Sequence, residues 1–427
     1  MTQAAIGDAT GVVMPASVEA LREAPEEFLT RAMHAYGTLA PDNRVRSVDR
    51  LELFSGGNSG QKALLDVSYA QPGDDLPRRL FAKFSRDFDD PFRDRRRTEI
   101  DGEVRLAALS RLPAFPVAVP RPVFGDFEAE SGTGLLVTER VAFGEGAVEP
   151  LHEKCMDHLL PDPLEYYRVL VSAQGRLAAA QHRGALSPQL EALFPYDRAV
   201  AEADLPIGYG QDDLQRKVAA LGEFIAGHEQ LFPAELAAPA FLARLETEAC
   251  DFLKHEKAVR RFLQADPRFI AVCHWNANID NAWFWREADG TLHCGLLDWG
   301  MVRPMNVTTG LWGGLSAAPT AFLRAELGGL LDHYRDEFTA HDGPALAGDL
   351  MDLHFDLSLA LTGLALMMDL PALVAARMPD LGKASGPFDP LIRRDKVVEG
   401  FLLVSTNFLT LWSDRGFGRS LERMLAL

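Results

Sequence analysis

The hydrophobic period of this chain changes partway along, and that change limits its architecture more than any other feature. Between Arg46 and Val141 apolar residues recur at every second position. Ala63, Leu65, Val67 and Tyr69 alternate with Leu64, Asp66 and Ser68, and Arg46–Phe54, Lys62–Tyr69, Arg79–Phe84, Val123–Glu128 and Gly134–Val141 read as strands. A helix over Thr98–Leu112, carrying Glu103, Val104, Leu106 and Leu109, interrupts them, and Ala16–Tyr36 has helical spacing at Val18, Leu21, Phe28, Leu29 and Met33. From about Gly144 the pattern is helical, most clearly at Tyr166–His182 and Pro239–Leu263. A second β-rich island at Phe269–Val302 precedes further helices to Leu427. The order predicts an α+β chain with a helical lead-in (1–45), a β-rich lobe built on a small antiparallel sheet (46–142), and a larger helical lobe with an embedded hairpin at 269–302 (143–427).

Composition narrows the partners. The 43 Lys+Arg against 61 Asp+Glu leave a formal charge of −18, which argues against nucleic acid and anionic membranes, because either would need a basic face. Cys155, Cys250, Cys273 and Cys294 form neither a C-x-x-C pair nor a Cys/His cluster, so no zinc site or disulfide framework is expected, and a reducing cytoplasm is the natural setting. Met1–Pro15 has no Lys or Arg and no sustained apolar core, unlike a signal peptide. The most lipophilic stretch, Leu357–Met368, is too short to insert across a bilayer and reads as a buried core helix.

Three features carry chemistry. Gly56, Gly57, Asn58, Ser59 and Gly60 form a small-residue turn between two strands, where backbone N–H groups can approach phosphate oxygens closely. Lys83 is a single cation inside the apolar strand Leu80-Phe81-Ala82-Lys83-Phe84, with Glu103 arriving on the following helix. The run Ile270-Ala271-Val272-Cys273-His274-Trp275-Asn276-Ala277-Asn278-Ile279-Asp280-Asn281 leads into a strand. After a turn at Asp289-Gly290, a second strand ends in Leu297-Asp298-Trp299-Gly300. Asn281 and Asp298 are oxygen donors of the hard type that Mg²⁺ prefers.

This order resembles the aminoglycoside phosphotransferase and choline kinase group of the protein-kinase-like superfamily, nearest its ecdysteroid-kinase-like branch. In that group a loop of the form H-G-D-x-x-x-x-N precedes a strand ending I-D-[FW]. His274 and Asn281 match the loop, Asp298-Trp299-Gly300 resembles the strand end, and Leu177–His182 resembles the helix end ahead of the loop. Gly134–Glu139 resembles the hinge strand that would set Glu139 by the nucleotide. The resemblance spans roughly Val18–Gly314. It implies a bilobal protein-kinase-like fold, with ATP and Mg²⁺ as cofactors and a small hydroxylated acceptor as partner. On that reading Lys83 and Glu103 position phosphates, Asn281 and Asp298 hold the metal, and His274 braces the loop.

The departures are as informative. Asn276 stands where the group has its catalytic aspartate, Trp275 replaces the preceding glycine, and Asn306–Leu311 lacks the aspartate that anchors the loop. An amide cannot accept a proton from an attacking hydroxyl, although it can orient one by hydrogen bonds, and Asp280 is the nearest carboxylate in sequence. Trp275, Trp283, Trp285, Trp299 and Trp312 crowd the region, mostly as expected core. Three readings follow: a small-molecule kinase weakened by Asn276, a pseudokinase that binds nucleotide or a partner without transfer, and a nucleotidyl transferase. The acceptor and the oligomeric state leave no signature in the sequence.

Overall fold

The computed structural model describes residues 4–55, 60–91 and 93–427. They fall into two compact units: Met1–Pro150 with Gly184–Phe194 and Trp283–Arg303, and Leu151–Arg183 with Pro195–Ala282 and Pro304–Leu427.

The first unit opens with a short antiparallel pair, β1 (Ala4–Ile6) and β2 (Val13–Pro15), in a Gly/Ala-rich stretch without strand periodicity. The buried Asp126 carboxylate holds the turn between them, accepting from the backbone N–H groups of Ala9 (3.1 Å) and Thr10 (2.7 Å). The single helix expected over Ala16–Tyr36 is two helices, α1 (Val18–Arg22) and α2 (Pro25–Tyr36). Pro25 is the reason: it lacks the N–H an interior helical residue donates, and it takes the first position of a new helix instead. The strands β3 (Val45–Leu53), β4 (Lys62–Tyr69) and β5 (Arg79–Phe84), the helix α3 (Glu99–Leu109), and the strands β6 (Pro122–Glu128) and β7 (Thr133–Glu139) follow. They form one antiparallel sheet in the order β3-β4-β5-β7-β6.

Alternation assigns the faces of this sheet. Ala63, Leu65 and Val67 of β4, Leu80, Ala82 and Phe84 of β5, and Leu135 and Val137 of β7 share one core with Phe28, Leu29, Ala32 and Met33 of α2. The residues between them point the other way. There Leu136 of β7 packs with Ile100, Val104 and Ala107, the helical stripe of α3. Lys83 lies opposite Leu136 in register, so it belongs to the α3 face. The hairpin strands Ala282–Arg286 and Leu292–Leu296 turn at Gly290, with φ of +89°. Within this unit they are tied down by bonds from the Leu296 N–H to the Ala118 carbonyl and from the Glu149 N–H to the Phe284 carbonyl (2.9 and 2.8 Å).

The second unit is helical. Pro163–His182 packs along Thr320–Ala340, with the Tyr167 and Phe322 rings stacked at 4.9 Å. Gly348–Leu366 contains most of the lipophilic stretch Leu357–Met368 and is almost wholly buried, as that stretch predicts. Trp412 of Lys396–Arg415 packs against Phe408 of its own helix and against Phe252 and Phe417. Among the described residues no single helix is long and apolar enough to cross a membrane.

Asn306 caps the helix Val307–Leu315, its Oδ1 accepting from the Thr308 N–H (3.0 Å) and hydroxyl (2.7 Å). That fixes its Nδ2 as a donor to the Leu263 carbonyl (2.8 Å) and to Nδ1 of His354 (2.9 Å), so this imidazole nitrogen accepts and the ring is neutral. His354 is buried, stacked 3.8 Å from Phe269, and burial pushes its pKa down to about 4. A group depressed in the folded state is protonated more readily in the unfolded chain, so its stabilisation is complete above about pH 6.5 and is lost as pH falls toward 4. Thermal midpoints between pH 7 and 4 should show this loss, approaching roughly 3 kcal/mol at its full extent. A His354→Gln protein should lack that segment of the pH dependence.

Candidate functional site

Two clusters hold the residues singled out by the sequence, one in each unit. In the first, β5 carries Lys83 onto the α3 face, and α3 carries Glu103 on the same side as Ile100 and Val104. The Lys83 ammonium is buried, ion-paired to Glu103, and bonded to Oδ1 of Asp298 at 2.5 Å. Asp298 lies two residues beyond the strand Leu292–Leu296, and its backbone is left-handed with φ of +56°, a conformation that Asp tolerates better than most residues. Its side chain is 50% exposed, whereas those of Lys83 and Glu103 are buried.

The electrostatics follow from that burial. Desolvation opposes charge on Lys83, but Glu103 and Asp298 outweigh it and hold the ammonium protonated above its ordinary range. Burial pushes Glu103 up to about 7, with Lys83 working against the rise and Asp298 adding to it. Sequence reasoning missed a second cation. Lys62 opens β4 directly opposite Lys83 in register and is also buried, its pKa lowered by burial and by the Lys83 charge. Like charges directly opposite across two strands repel, and Asp298, Glu103 and Glu99 offset that repulsion. Its place at the start of the strand, two residues after the small-residue turn, was the available signal.

Of that turn, Gly56, Gly57, Asn58 and Ser59 lie outside the described residues. Gly60 has φ of +47°, and a Cβ there would stand 1.9 Å from the Phe84 carbonyl oxygen, so only glycine lets this arm of the turn rest on β5. Glu139 ends β7, exposed, with its N–H bonded to the Arg121 carbonyl (2.8 Å).

In the second unit the loop after the strand Ile270–Cys273 is built on its own amides. The buried His274 accepts through Nδ1 from the Asn276 N–H (3.2 Å), bracing the turn. Asn281 donates through Nδ2 to the Asn276 carbonyl (2.9 Å), which leaves Oδ1 as the acceptor end of that amide. Asn278 is best oriented with its nitrogen toward the Gly313 (3.2 Å) and Gly314 (3.0 Å) carbonyls; the reverse would set its oxygen against two acceptors. Its oxygen then faces the Asn276 amide at 2.6 Å, so Asn276 is the donor in this pair. Asp280 lies half-buried in the turn Ile279–Asn281, and its charge bears on Asp157, whose carboxyl is pushed up to about 7 chiefly by burial. Trp299 and Trp312 are core, while Trp283 and Trp285 are half-buried and stacked 6.2 Å apart.

A further support went unread in the sequence. The loop lies against Val307–Leu315, where a Cβ on Gly313 would stand 1.6 Å from the Trp275 carbonyl oxygen and one on Gly310 would stand 2.8 Å from Cys273 Cβ. Glycine spacing in an apolar helix was the only trace of this close approach.

No three His, Cys, Asp or Glu side chains among the described residues gather into a metal cluster, and Mg²⁺ is commonly held by one or two carboxylates together with phosphates and water. In the first unit Asp298 keeps a half-exposed carboxylate; in the second, Asn281 keeps its amide oxygen as an acceptor.

No protein-family model and no curated protein matches the chain. Among solved structures it is similar to a microcompartment-associated aminopropanol kinase (13% identity, 93% of this chain and 99% of that one, TM-score 0.46). It is also similar to an ethanolamine kinase of Plasmodium vivax (11%, 93% and 94%, TM-score 0.45) and to a choline/ethanolamine kinase family protein of Mesorhizobium loti (13%, 88% and 93%, TM-score 0.42).

Gly313→Ala should force Trp275 and its loop off the helix, costing about 1–3 kcal/mol as over-packing does, measurable by denaturant unfolding. Gly328→Ala, at a helical position whose Cβ would meet open space, should cost nothing.

Proposed function

We propose that the chain is an ATP-dependent phosphotransferase acting on a hydroxyl of a small molecule, with activity weakened because Asn276 replaces a proton acceptor. The observation that carries this reading is the buried Lys83, held between Glu103 and Asp298 with Lys62 alongside. Two buried ammonium groups on one sheet face concentrate positive charge, which suits the phosphates of a nucleotide. On this reading Lys83 positions phosphates, Glu103 positions Lys83, Gly56–Gly60 and Glu139 border the nucleotide, and Asn281 and Asp298 are the oxygen donors to Mg²⁺. The metal would supply charge neutralisation along the phosphates. His274 shapes the loop, and Asn276, with its nitrogen committed to Asn278, presents an oxygen that can accept a hydrogen bond from the acceptor's hydroxyl without taking its proton.

The same amide pair favours a second reading, a pseudokinase that binds nucleotide without transfer. Asn278 is set to receive a donor from position 276, which suits an amide and not a carboxylate.

Thermal unfolding with ATP, with and without Mg²⁺, should show a rise equivalent to roughly 2.7 kcal/mol at a hundredfold excess over Kd. Lys83→Ala should abolish it. Absence of any shift in the wild type would remove both readings. With labelled ATP and candidate alcohols, slow transfer by the wild type supports the kinase. Transfer gained only by Asn276→Asp, by up to about 10²-fold or more, supports the pseudokinase.

A further inference from the structure

We propose that the cleft at the outer end of the Lys83–Glu103 pair, walled by Arg86, Arg93, Arg96 and Arg97, is a binding site for a phosphate group. The cleft lies wholly in the first unit, between the end of β5 and the start of α3.

The evidence is the mismatch between charge and partners. Arg93 is buried, yet among the described residues its guanidinium bonds only neutral acceptors: the Arg86 carbonyl, the Ser131 carbonyl (2.9 Å) and the Thr133 hydroxyl (3.2 Å), with the Phe88 ring 3.9 Å away. Arg97 likewise bonds the Ala129 (3.1 Å) and Glu130 carbonyls. Among the described residues neither guanidinium forms an ion pair, while Arg86 and Arg96 share the one Glu99 carboxylate and Arg86 also reaches Asp90 (3.1 Å). Asp87 and Asp94 act on Arg93, and Glu128 on Arg97, only from a distance. Arg93 is lowered from its usual pKa by burial and by the Arg97 charge. Buried cations normally have an anion in contact. A phosphate would answer this charge, because guanidinium forks match its oxygens two at a time and a dianion answers two cations at once.

Such a group has two sources: the terminal phosphate of a nucleoside triphosphate, in which case the site rests on the function proposed above, or a separate phosphorylated anion. The test uses the full chain and calorimetric titration at constant ionic strength with pyrophosphate, ADP and ATP. Arg97→Gln should weaken binding of the occupant about tenfold or more. Arg96→Gln, at an exposed position, repeats the measurement without risk to the fold. Pyrophosphate binding that is lost in the arginine variants and kept in Lys83→Ala identifies a separate anion, and it stands even if ATP never binds. An arginine-dependent loss for ATP, with ADP unchanged, identifies the terminal phosphate. Unchanged affinities in both variants, or a wild type that binds neither pyrophosphate nor ATP, overturn the site.

Discussion

Burying an ammonium group is the constraint around which the first unit is organised. Lys83 sits in a strand whose neighbours on either side, Ala82 and Phe84, are core, and alternation alone sends it to the opposite face. There it meets Lys62 across the ladder, and the cost of two dehydrated cations is met by carboxylates from three separate places: Glu103 and Glu99 on α3, and Asp298 after the hairpin. The position of α3, the end of the hairpin and the left-handed backbone at Asp298 thus serve one electrostatic balance. Because burial also lifts Glu103 toward neutrality, the balance is shallow, and a polyanion arriving near the lysines would change it most.

The second unit solves a different problem, that of holding a polar loop in a fixed shape beside an apolar helix. It does so with backbone contact and amides in place of carboxylates. Glycines on Val307–Leu315 admit the loop's carbonyls to within reach of the helix, while Asn276, Asn278 and Asn281 satisfy one another and the helix carbonyls. The aspartate that the sequence lacks after Trp299 has a neutral counterpart in Asn306, which caps that helix and orients His354.

Much of this was legible in the sequence, for identifiable reasons. Period-2 alternation marked β3 to β7 within a residue or two, because each has one face in a core. The pairing of Lys83 with Glu103 was readable because a lone cation in an apolar strand needs a partner on whatever packs against it. What escaped depends on tertiary contact that leaves no period: the β1–β2 pair fixed by Asp126, the break that Pro25 makes between α1 and α2, and the burial of Lys62 and Arg93. Glycine spacing in an apolar helix looks like ordinary core until the loop that rests on it is seen.

The amide pair at Asn276 and Asn278 limits what either position can hold. With the Asn278 nitrogen given to two helix carbonyls, a carboxylate appearing at position 276 would face an oxygen, and Asn278 would have to surrender both carbonyls to turn over. The two positions are therefore epistatic. Each of the two amides thus limits what the other position can hold, and neither can be exchanged for a carboxylate on its own without unsettling the contact with the helix.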